Sequence, residues 1–297
     1  MERETIGFLG LGAAGAPIAR RLAAAGWPLV LLERDRAAAE ALAGAGSIAI
    51  ARDLAELERR VGIVLTCLPS EKAVEKVAGA LARPGLLLFD LSTVRPATAR
   101  RLHASLSGRG IRHVECPILP RLHEGPPSDL FLLVSGEPAD IERVRPLLPV
   151  IGQEHRLVGG PGAASRIVCV HNALALVELA AIAEAMALLA ADGGDLDAFL
   201  AVVAAGGGWA ASPLFRAEAP RMREARPAPG TTLRIAAKDA ALAASMAEEA
   251  GLDLPLFRRT AELLRAALAE GLGELDMAAV ARAIERETGI AIARAAA

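Results

Sequence analysis

The sequence has no tyrosine and few other aromatic residues, with two tryptophans and six phenylalanines among 297 residues. The absence of tyrosine removes one common proton donor from any catalytic mechanism. The three cysteines, Cys67, Cys116 and Cys169, are far apart and form no CxxC or Cys/His spacing. We therefore expect no metal site, and the odd, scattered cysteines favour a reducing, cytosolic setting.

The sequence also lacks a charge bias of either sign. Lys and Arg number 33 against 35 Asp and Glu, a formal charge of −2. This balance gives no electrostatic basis for binding nucleic acid or an anionic membrane. The first residues do not follow a signal-peptide pattern, and Glu178 and Glu184 interrupt the longest apolar run. We expect a cytoplasmic protein in which that run is a buried helix rather than a membrane span.

Short apolar runs alternate with helical patterns in the first half of the chain. The runs are TIGFLGLG, PLVLLER, VGIVLTCLP, GLLLFDLST, IRHVECPIL and LFLLVSG. Strands that alternate with helices at this spacing predict a mostly parallel sheet covered on both faces. We assign residues 1–160 to this α/β domain.

From about residue 160 only helical patterns remain. Residues 163–191 read as one helix, on the order of 40 Å long at about 1.5 Å per residue. We assign residues 161–297 to an all-α domain that contains this helix. Because the helix is apolar nearly all round, it needs a partner surface, and a homodimer formed through the helical domain is expected.

A glycine-rich loop follows the first strand. The pattern Gly10-x-Gly12-x-x-Gly15 lies between a predicted strand and a predicted helix, which is the context of dinucleotide binding. The first glycine allows a tight turn, the second lets a pyrophosphate approach the backbone, and the third lets the helix pack on the strand. The loop residues expected to bind are Gly10, Leu11, Gly12, Ala13, Ala14 and Gly15. The alternative is a plain strand–helix turn.

The residues at the end of the second strand bear on the choice between NAD and NADP. Glu33 lies about 20 residues after the loop, where an acidic side chain binds the ribose hydroxyls of NAD and repels a 2′-phosphate. Arg34 and Arg36 follow, and either could reach that phosphate. We favour NAD and keep NADP open; the alternative for Glu33 is a solvated strand end.

Several stretches, in order and spacing, resemble the β-hydroxyacid dehydrogenases. They are GFLGLGAAGAPIARRL, TCLPSEKAVEKV, FDLSTVRPATAR, GAASRIVCVHNALALVELAAIAEAMAL, APRMREA and AAKDAALA. This family includes 3-hydroxyisobutyrate dehydrogenase, tartronate semialdehyde reductase and, more distantly, 6-phosphogluconate dehydrogenase. The resemblance covers almost the whole chain and implies a Rossmann domain, a long interdomain helix and a helical domain, with the active site in the cleft.

The resemblance also implies roles for individual residues. The residues implied to line the cofactor are Thr66, Cys67, Leu68 and Pro69. Those implied to lie near the nicotinamide and the substrate are Ser92 and Thr93. Asn172 would bind substrate from the long helix, and Lys238 would reach the cofactor from the helical domain. The alternatives are a cap on the helix that begins near Pro96 for Ser92 and Thr93, and a solvated charge for Lys238.

One residue that the family uses is missing. In this family the long helix carries a catalytic lysine four residues before the asparagine matched by Asn172, so that both face one way. Here that position is Val168, which cannot exchange a proton. Arg166, two residues earlier, points elsewhere and stays protonated. The resemblance therefore implies an atypical site in which Val168 only lines the substrate.

Other side chains are candidates for the proton transfer. His171 lies three residues from Val168 and has a suitable ordinary pKa. 6-Phosphogluconate dehydrogenases resemble this chain in having His-Asn here beside their lysine, so His171 has binding or packing as its alternative role. Lys238 is the other candidate acid. The candidate catalytic residues are His171, Asn172, Lys238 and Ser92.

The segment that corresponds to the family's substrate-binding turn also departs from the pattern. Leu119, Pro120 and Arg121 stand where the family has Ser-Gly-Gly, so a donor is lost and bulk is added. Arg121 either replaces the lost contacts with a charge or is simply exposed. Trp209, in a glycine-rich loop, is either a core residue or a wall of the substrate site.

These features predict an NAD(P)-dependent oxidoreductase that acts on a small hydroxyacid or semialdehyde. The stretch PILPRLHEGPPSDLFLLVSG also resembles the imine reductases. Their iminium substrates are already cationic and need no obligatory proton donor, so an imine is the alternative substrate. A different class of function, a dinucleotide-binding protein without turnover, is the third possibility.

Overall fold

The chain forms two compact units. A computed structural model describes residues 3–33, 35–43, 48–120, 130–206, 208–227 and 230–294. The described residues up to Val168 form the first unit, and those from Cys169 onward form the second. All named strands lie in the first unit and the second is helical, so the predicted fold class is confirmed. The domain boundary that we predict after residue 160 falls shortly before this division and stays a prediction.

The first unit contains nine strands and seven helices among the described residues. The strands are β1 (Ile6–Leu9), β2 (Leu29–Leu32), β3 (Ile48–Ile50), β4 (Ile63–Thr66), β5 (Leu87–Asp90), β6 (Arg112–Glu115), β7 (Ile118–Pro120), β8 (Leu130–Gly136) and β9 (Glu154–Gly159). The helices are α1 (Gly15–Ala24), α2 (Arg36–Ala43), α3 (Leu54–Arg60), α4 (Glu71–Ala80), α5 (Pro96–Ser107), α6 (Pro138–Val144) and α7 (Leu148–Ile151), with a 3₁₀ turn at Arg145–Leu147.

The nine strands form one sheet with a topological switch at its centre. The order is β3-β2-β1-β4-β5-β6-β8-β7, with β9 beside β8. The strands from β3 to β6 are all parallel, whereas β8 is antiparallel to β6 and β7. The order reverses between β1 and β4, and crevices at such points bind ligands beyond the carboxyl ends of the strands.

The central strands are apolar on both faces because helices cover both sides of the sheet. Along β4, Ile63 and Leu65 belong to one buried cluster and Val64 to the other. On β5, Phe89 belongs to the same cluster as Ile63 and Leu65, and Leu88 belongs to the same cluster as Val64. Side chains that alternate between two cores explain why these strands read as continuous hydrophobic runs rather than as alternating ones.

The second unit is built from helices around a single core. The long helix α8 (Ala163–Ala191) starts in the first unit and continues into the second, where α9 (Leu196–Ala204), α10 (Pro213–Met222), α11 (Leu233–Glu249), α12 (Pro255–Ala269) and α13 (Val280–Thr288) follow, with a 3₁₀ turn at Met277–Ala279. Side chain oxygens of Asp195, Ser212 and Thr232 accept hydrogen bonds from first-turn amides and so begin three of these helices.

Helix α8 is long and apolar enough to cross a membrane by length and composition, the only such helix in the described part of the chain. Core helices pass the same test. Leu179, Ala183 and Met186 belong to the core of the second unit. Packing within a protein core therefore explains why the residues on this side of α8 are apolar.

The first unit contains one histidine, His113, that is almost completely buried. His113, on β6, is 1% exposed, and neither ring nitrogen has a hydrogen-bond partner among the described residues. Burial lowers the pKa of His113 to about 3, with a contribution from His103, whose ring centroid is 6.3 Å away. The folded protein therefore keeps His113 neutral at pH values where the unfolded chain protonates it.

We expect the free energy of unfolding to fall by about 1.4 kcal/mol per pH unit from this residue as the pH drops below about 6.5, its ordinary value. The unfolded chain binds the proton there and the folded protein does not. His113→Leu should flatten this acid limb in melting temperatures measured from about pH 7 to pH 4. Asp90, whose pKa burial raises to about 6, has the opposite slope in both proteins and cancels in the comparison. The control is His155→Leu on β9, and equal slopes in wild type and His113→Leu would contradict the expectation.

Candidate functional site

The glycine-rich loop between β1 and α1 has the geometry of a close turn with an open face. Gly10 has φ +95°, and a Cβ there would lie 2.3 Å from the carbonyl oxygen of Cys67. A Cβ on Gly15 would lie 1.9 Å from the carbonyl oxygen of Gly10. A Cβ on Gly12 would meet no described atom within 4 Å. Two glycines are therefore required for the turn itself, and the third leaves room for a ligand against the backbone.

The start of α1 is suited to an anion. Gly12, Ala13 and Ala14 are exposed, and in the described structure no side chain caps the helix at Ala14. The first turn carries no acidic residue. Because helix N-termini present N–H groups and a positive dipole end, a pyrophosphate fits beside the open face of Gly12. The assignment of the whole loop, including the buried Leu11, to dinucleotide binding stays a prediction.

Glu33 lies beside this loop. The Leu11 amide donates to Glu33 Oε2 at 2.8 Å, and the Asp35 amide lies 3.5 Å from Oε1. The carboxylate is thus held against the glycine-rich loop while staying partly exposed, as a ribose ligand requires. Arg34 lies outside the described residues, as does the side chain of Arg36.

Two loops at the carboxyl ends of β4 and β5 are joined by a hydrogen bond. The Leu68 amide donates to Ser92 Oγ at 2.9 Å. The Ser92 side chain also hydrogen-bonds the carboxyl group of Asp90, so it links both loops to that buried acid. The N-cap position of α5 is Arg95, so Ser92 joins the loops rather than capping that helix. The neighbouring Cys67, Leu68 and Thr93 are partly exposed.

A buried carboxyl group, which the sequence reasoning did not single out, organises these loops. Asp90 Oδ1 accepts from Thr66 Oγ1 at 2.8 Å and from the Ser92 amide at 3.0 Å. Burial raises the pKa of Asp90 to about 6; the hydrogen bonds from Ser92 and Thr66 oppose this rise and the charge of Glu115 adds to it. Its sequence signal is an acidic residue at the end of an otherwise apolar strand, in FDLST.

In the second unit the structure brings together three of the predicted catalytic residues. Asn172 Nδ2 donates to Asp239 Oδ2 at 2.9 Å, and Lys238 Nζ lies 3.0 Å from Asp239 Oδ1. His171 Nδ1 lies 3.0 Å from Asn172 Oδ1, a hydrogen bond when Nδ1 carries the proton. The residue that joins them, Asp239, is 7% exposed. We call His171, Asn172, Asp239 and Lys238 the polar chain.

Lys238 is among the site residues predicted from the sequence, and its neighbour Asp239 is not. The two are adjacent on α11, where one side chain is partly exposed and the other is buried. The buried carboxylate of Asp239 lies between an ammonium and an amide. The ion pair with Lys238 and the hydrogen bond from Asn172 compensate the desolvation of this carboxylate, and they hold both partners in place. The signal in the sequence was an acidic residue on the inward face of an amphipathic helix.

The predicted substrate-contacting residues lie in different surroundings. Val168 is fully buried, whereas Arg166 on the same helix is exposed. Leu119 is 8% exposed and Pro120 is exposed, both within β7, which pairs with β8. Arg121 lies outside the described residues. This segment is therefore a paired strand up to Pro120, and substrate contact by these residues stays a prediction.

Trp209 is fully exposed, so the alternative that it is a core residue is wrong. It lies in the glycine-containing connection between α9 and α10, in which Gly206 has φ +89°. The core positions nearby are filled by Leu214 and Phe215 at the start of α10. Its role as a wall of the substrate site stays a prediction.

Comparison with known families identifies the chain. Residues 5–162 match the family model of the NAD-binding domain of 6-phosphogluconate dehydrogenase. Residues 162–284 match that of the NAD-binding domain of NADP-dependent 3-hydroxyisobutyrate dehydrogenase. The fold, the glycine-rich loop and these matches define an NAD(P)-dependent oxidoreductase. Within that class, the chain belongs to the β-hydroxyacid dehydrogenase superfamily.

Individual relatives cover nearly the whole chain. The NAD-dependent L-serine dehydrogenase of Pseudomonas aeruginosa is 29% identical over 96% of this chain and 99% of its own. The structure of Mycobacterium tuberculosis 3-hydroxyisobutyrate dehydrogenase with L-serine is 26% identical, with a TM-score of 0.79 over 95% of this chain and 99% of that one. An imine reductase from Pseudomonas sp., at 19% identity and TM-score 0.59 over 95% and 100% of the two chains, shares the fold.

Glu33→Gln tests the assignment of the ribose ligand. The variant removes the charge that repels a 2′-phosphate and weakens the bonds to the ribose hydroxyls. A hydrogen bond to a charged group contributes about 1.5–3 kcal/mol, so we expect the affinity ratio of NADH to NADPH to fall by roughly tenfold or more. Calorimetric titration with each cofactor measures this ratio. Glu142→Gln, at an exposed ion pair on α6, should leave it unchanged; an unchanged ratio in Glu33→Gln would exclude Glu33 as the ligand.

Proposed function

We propose that this protein is an NAD(P)-dependent dehydrogenase that oxidises a small β-hydroxyacid to its semialdehyde, or runs the reverse reduction. The observation that carries the proposal is the polar chain, in which one buried carboxylate orients an amide, an imidazole and an ammonium. Two similar proteins, an L-serine dehydrogenase and a 3-hydroxyisobutyrate dehydrogenase whose structure was determined with L-serine, support the substrate class.

The bound dinucleotide supplies the hydride chemistry. In our proposal the glycine-rich loop and the start of α1 bind its pyrophosphate, and Glu33 binds its ribose, which favours NAD over NADP. The remaining residues assigned to the cofactor side are Thr66, Cys67, Leu68, Pro69, Ser92 and Thr93, with Lys238 from the second unit. We place Ser92, whose oxygen accepts from the Leu68 amide, near the nicotinamide and the substrate.

Oxidation of an alcohol also requires a base for the hydroxyl proton, and we assign this role to His171. Asn172 donates its amide protons toward Asp239, so its oxygen faces His171. When that oxygen accepts from Nδ1–H, the other ring nitrogen of His171 keeps a lone pair and can take the substrate proton. Lys238 is paired with Asp239 and serves as a fixed positive charge for an anionic group of the substrate or cofactor.

An imine substrate is the second candidate. Val168 at the position of the family's lysine, and Leu119 and Pro120 at the position of its small-residue turn, favour a substrate without a carboxylate to be bound there. Reduction of an iminium needs hydride and no obligatory proton donor. The likeness to the imine reductases concerns the fold alone, so we rank this candidate below the hydroxyacid.

A second copy of the chain is the partner that we propose for α8. Val170, Leu174 and Leu188 are 49%, 65% and 75% exposed, and their spacing places them on one face of the helix. A row of exposed apolar side chains on a helix marks a surface that is covered in the working assembly. We therefore propose a cytoplasmic homodimer formed through the helical unit.

Turnover assays test the proposed activity. Wild-type protein with NAD⁺ or NADP⁺ should oxidise at least one of L-serine and 3-hydroxyisobutyrate, and His171→Ala should lower kcat by roughly 100-fold without weakening cofactor binding. His155→Ala is the matched control, since this histidine lies on β9 in the other unit. Turnover of cyclic imines alone would replace the proposal by the second candidate. Cofactor binding without any turnover would leave a binding protein.

Light scattering tests the proposed dimer. Leu174→Glu combined with Leu188→Glu places charges in the exposed row and should convert a dimer to monomers, because an unpaired buried charge is costly. Leu157→Glu is the control: Leu157 is 49% exposed on β9 of the first unit, and its variant should stay dimeric. A monomeric wild type, or a double variant that remains dimeric, would contradict the assignment.

A further inference from the structure

Four polar side chains form a buried row across the sheet of the first unit. Thr66, Asp90, Glu115 and Ser135 are register partners on the adjacent strands β4, β5, β6 and β8. Their exposures are 0%, 2%, 3% and 0%. Buried polar groups persist where they are fully hydrogen-bonded, so the partners of each one show what the row holds.

One end of the row holds the loops already described, and the other end holds the start of α8. Glu115 Oε1 accepts from Ser135 Oγ at 3.1 Å and from the Gly162 amide. Glu115 Oε2 accepts from the Ser165 amide at 3.2 Å and from Ser165 Oγ at 2.5 Å. Ser135 Oγ in turn accepts from the Ala164 amide at 3.1 Å. Side chains of β6 and β8 therefore satisfy the amides that a helix N-terminus leaves without intrahelical partners.

A carboxylate suits this position better than any neutral side chain. It offers acceptors on both oxygens to several N–H and O–H donors at once, and the positive end of the helix dipole favours its charge. The chain makes a close turn just before α8. Gly162 has φ +88°, and a Cβ there would lie 3.0 Å from Arg100 Cγ. The position and rotation of the first turn are thus fixed by contacts within the first unit.

Helix α8 then runs without a break from Ala163 to Ala191. Ser165 and Asn172 are seven residues apart, about two turns or roughly 10 Å along the axis, and share a helix face. A helix is stiff over two turns. The position of its first turn therefore determines where the helix presents His171 and Asn172.

We propose that Glu115 is a positioning residue for the reaction: it fixes the start of α8 and, through the helix, the placement of His171 and Asn172. It touches neither substrate nor cofactor in this role. The inference rests on the proposed function of the polar chain, and it adds a residue on β6 to the set that controls the rate.

Glu115→Gln tests this role. The amide keeps the size of the side chain but replaces one acceptor oxygen by an NH₂ group, so one side of the anchor is lost. We expect kcat to fall by roughly 10- to 100-fold, as for small misplacements of catalytic groups, while the Kd for NADH or NADPH stays within about twofold. Hydrogen exchange of the amides in residues 162–168 should become faster.

The matched control is Glu58→Gln in the same unit. Glu58 is 6% exposed and accepts from the Ala82 amide at 2.7 Å, so it is also a buried carboxylate that binds a backbone N–H. It lies on α3 and touches none of the row. Glu58→Gln should leave kcat and the exchange of residues 162–168 unchanged. A Glu115→Gln variant with kcat within about twofold of wild type, or one that loses no more than Glu58→Gln, would overturn the proposal.

Two further measurements keep the outcome decisive. If Glu115→Gln does not fold, Ser165→Ala removes a single bond of the anchor and should lower kcat by roughly threefold to tenfold with cofactor affinity unchanged; no effect on kcat would overturn the proposal. If wild type shows no turnover with any substrate, the proposed function fails, and hydrogen exchange still decides the anchor. Faster exchange confined to residues 162–168 in Glu115→Gln would support Glu115 as the anchor of α8, and unchanged exchange would overturn that role.

Discussion

A buried carboxylate at the start of a long helix is the interaction on which the rest of this structure depends. Glu115 and Ser135, from neighbouring strands, receive the hydrogen bonds of Gly162, Ala164 and Ser165. Leaving such donors unpaired in the interior would cost about 1–3 kcal/mol each. The sheet therefore determines where α8 begins, and α8 carries two members of the polar chain into the second unit.

At the same edge of the sheet, a second buried acid organises the loops that follow β4 and β5. Asp90 holds the Thr66 hydroxyl and the Ser92 amide, and Ser92 in turn holds the Leu68 amide. Next to them, Gly10 and Gly15 let backbone segments approach to distances that a Cβ would forbid. Hydrogen bonds and missing side chains together pre-form the loops, which lowers the entropy cost of ordering them when a ligand binds.

Local patterns explain what could be predicted and what could not. The spacing of Gly10, Gly12 and Gly15 encodes a turn whose requirements are met within a few residues, so the sequence revealed it. Asp239 and Asp90 each have one partner that is distant in the chain, Asn172 and Thr66 respectively, and neither acid was recognised as part of a site. A core position was one of the two alternatives for Trp209, but this residue is fully exposed in the connection between α9 and α10.

The sequence by itself determined most of the strands, the order of the two domains, the glycine-rich loop and the family, because each depends on residue type and short-range spacing. It did not predict β3 and β9. Only the tertiary structure decided which side chains meet. It paired Asn172 with Asp239 across 67 positions of sequence and Ser165 with Glu115 across 50. Such contacts depend on how strands and helices pack, and packing follows from the summed burial of many residues rather than from any one motif.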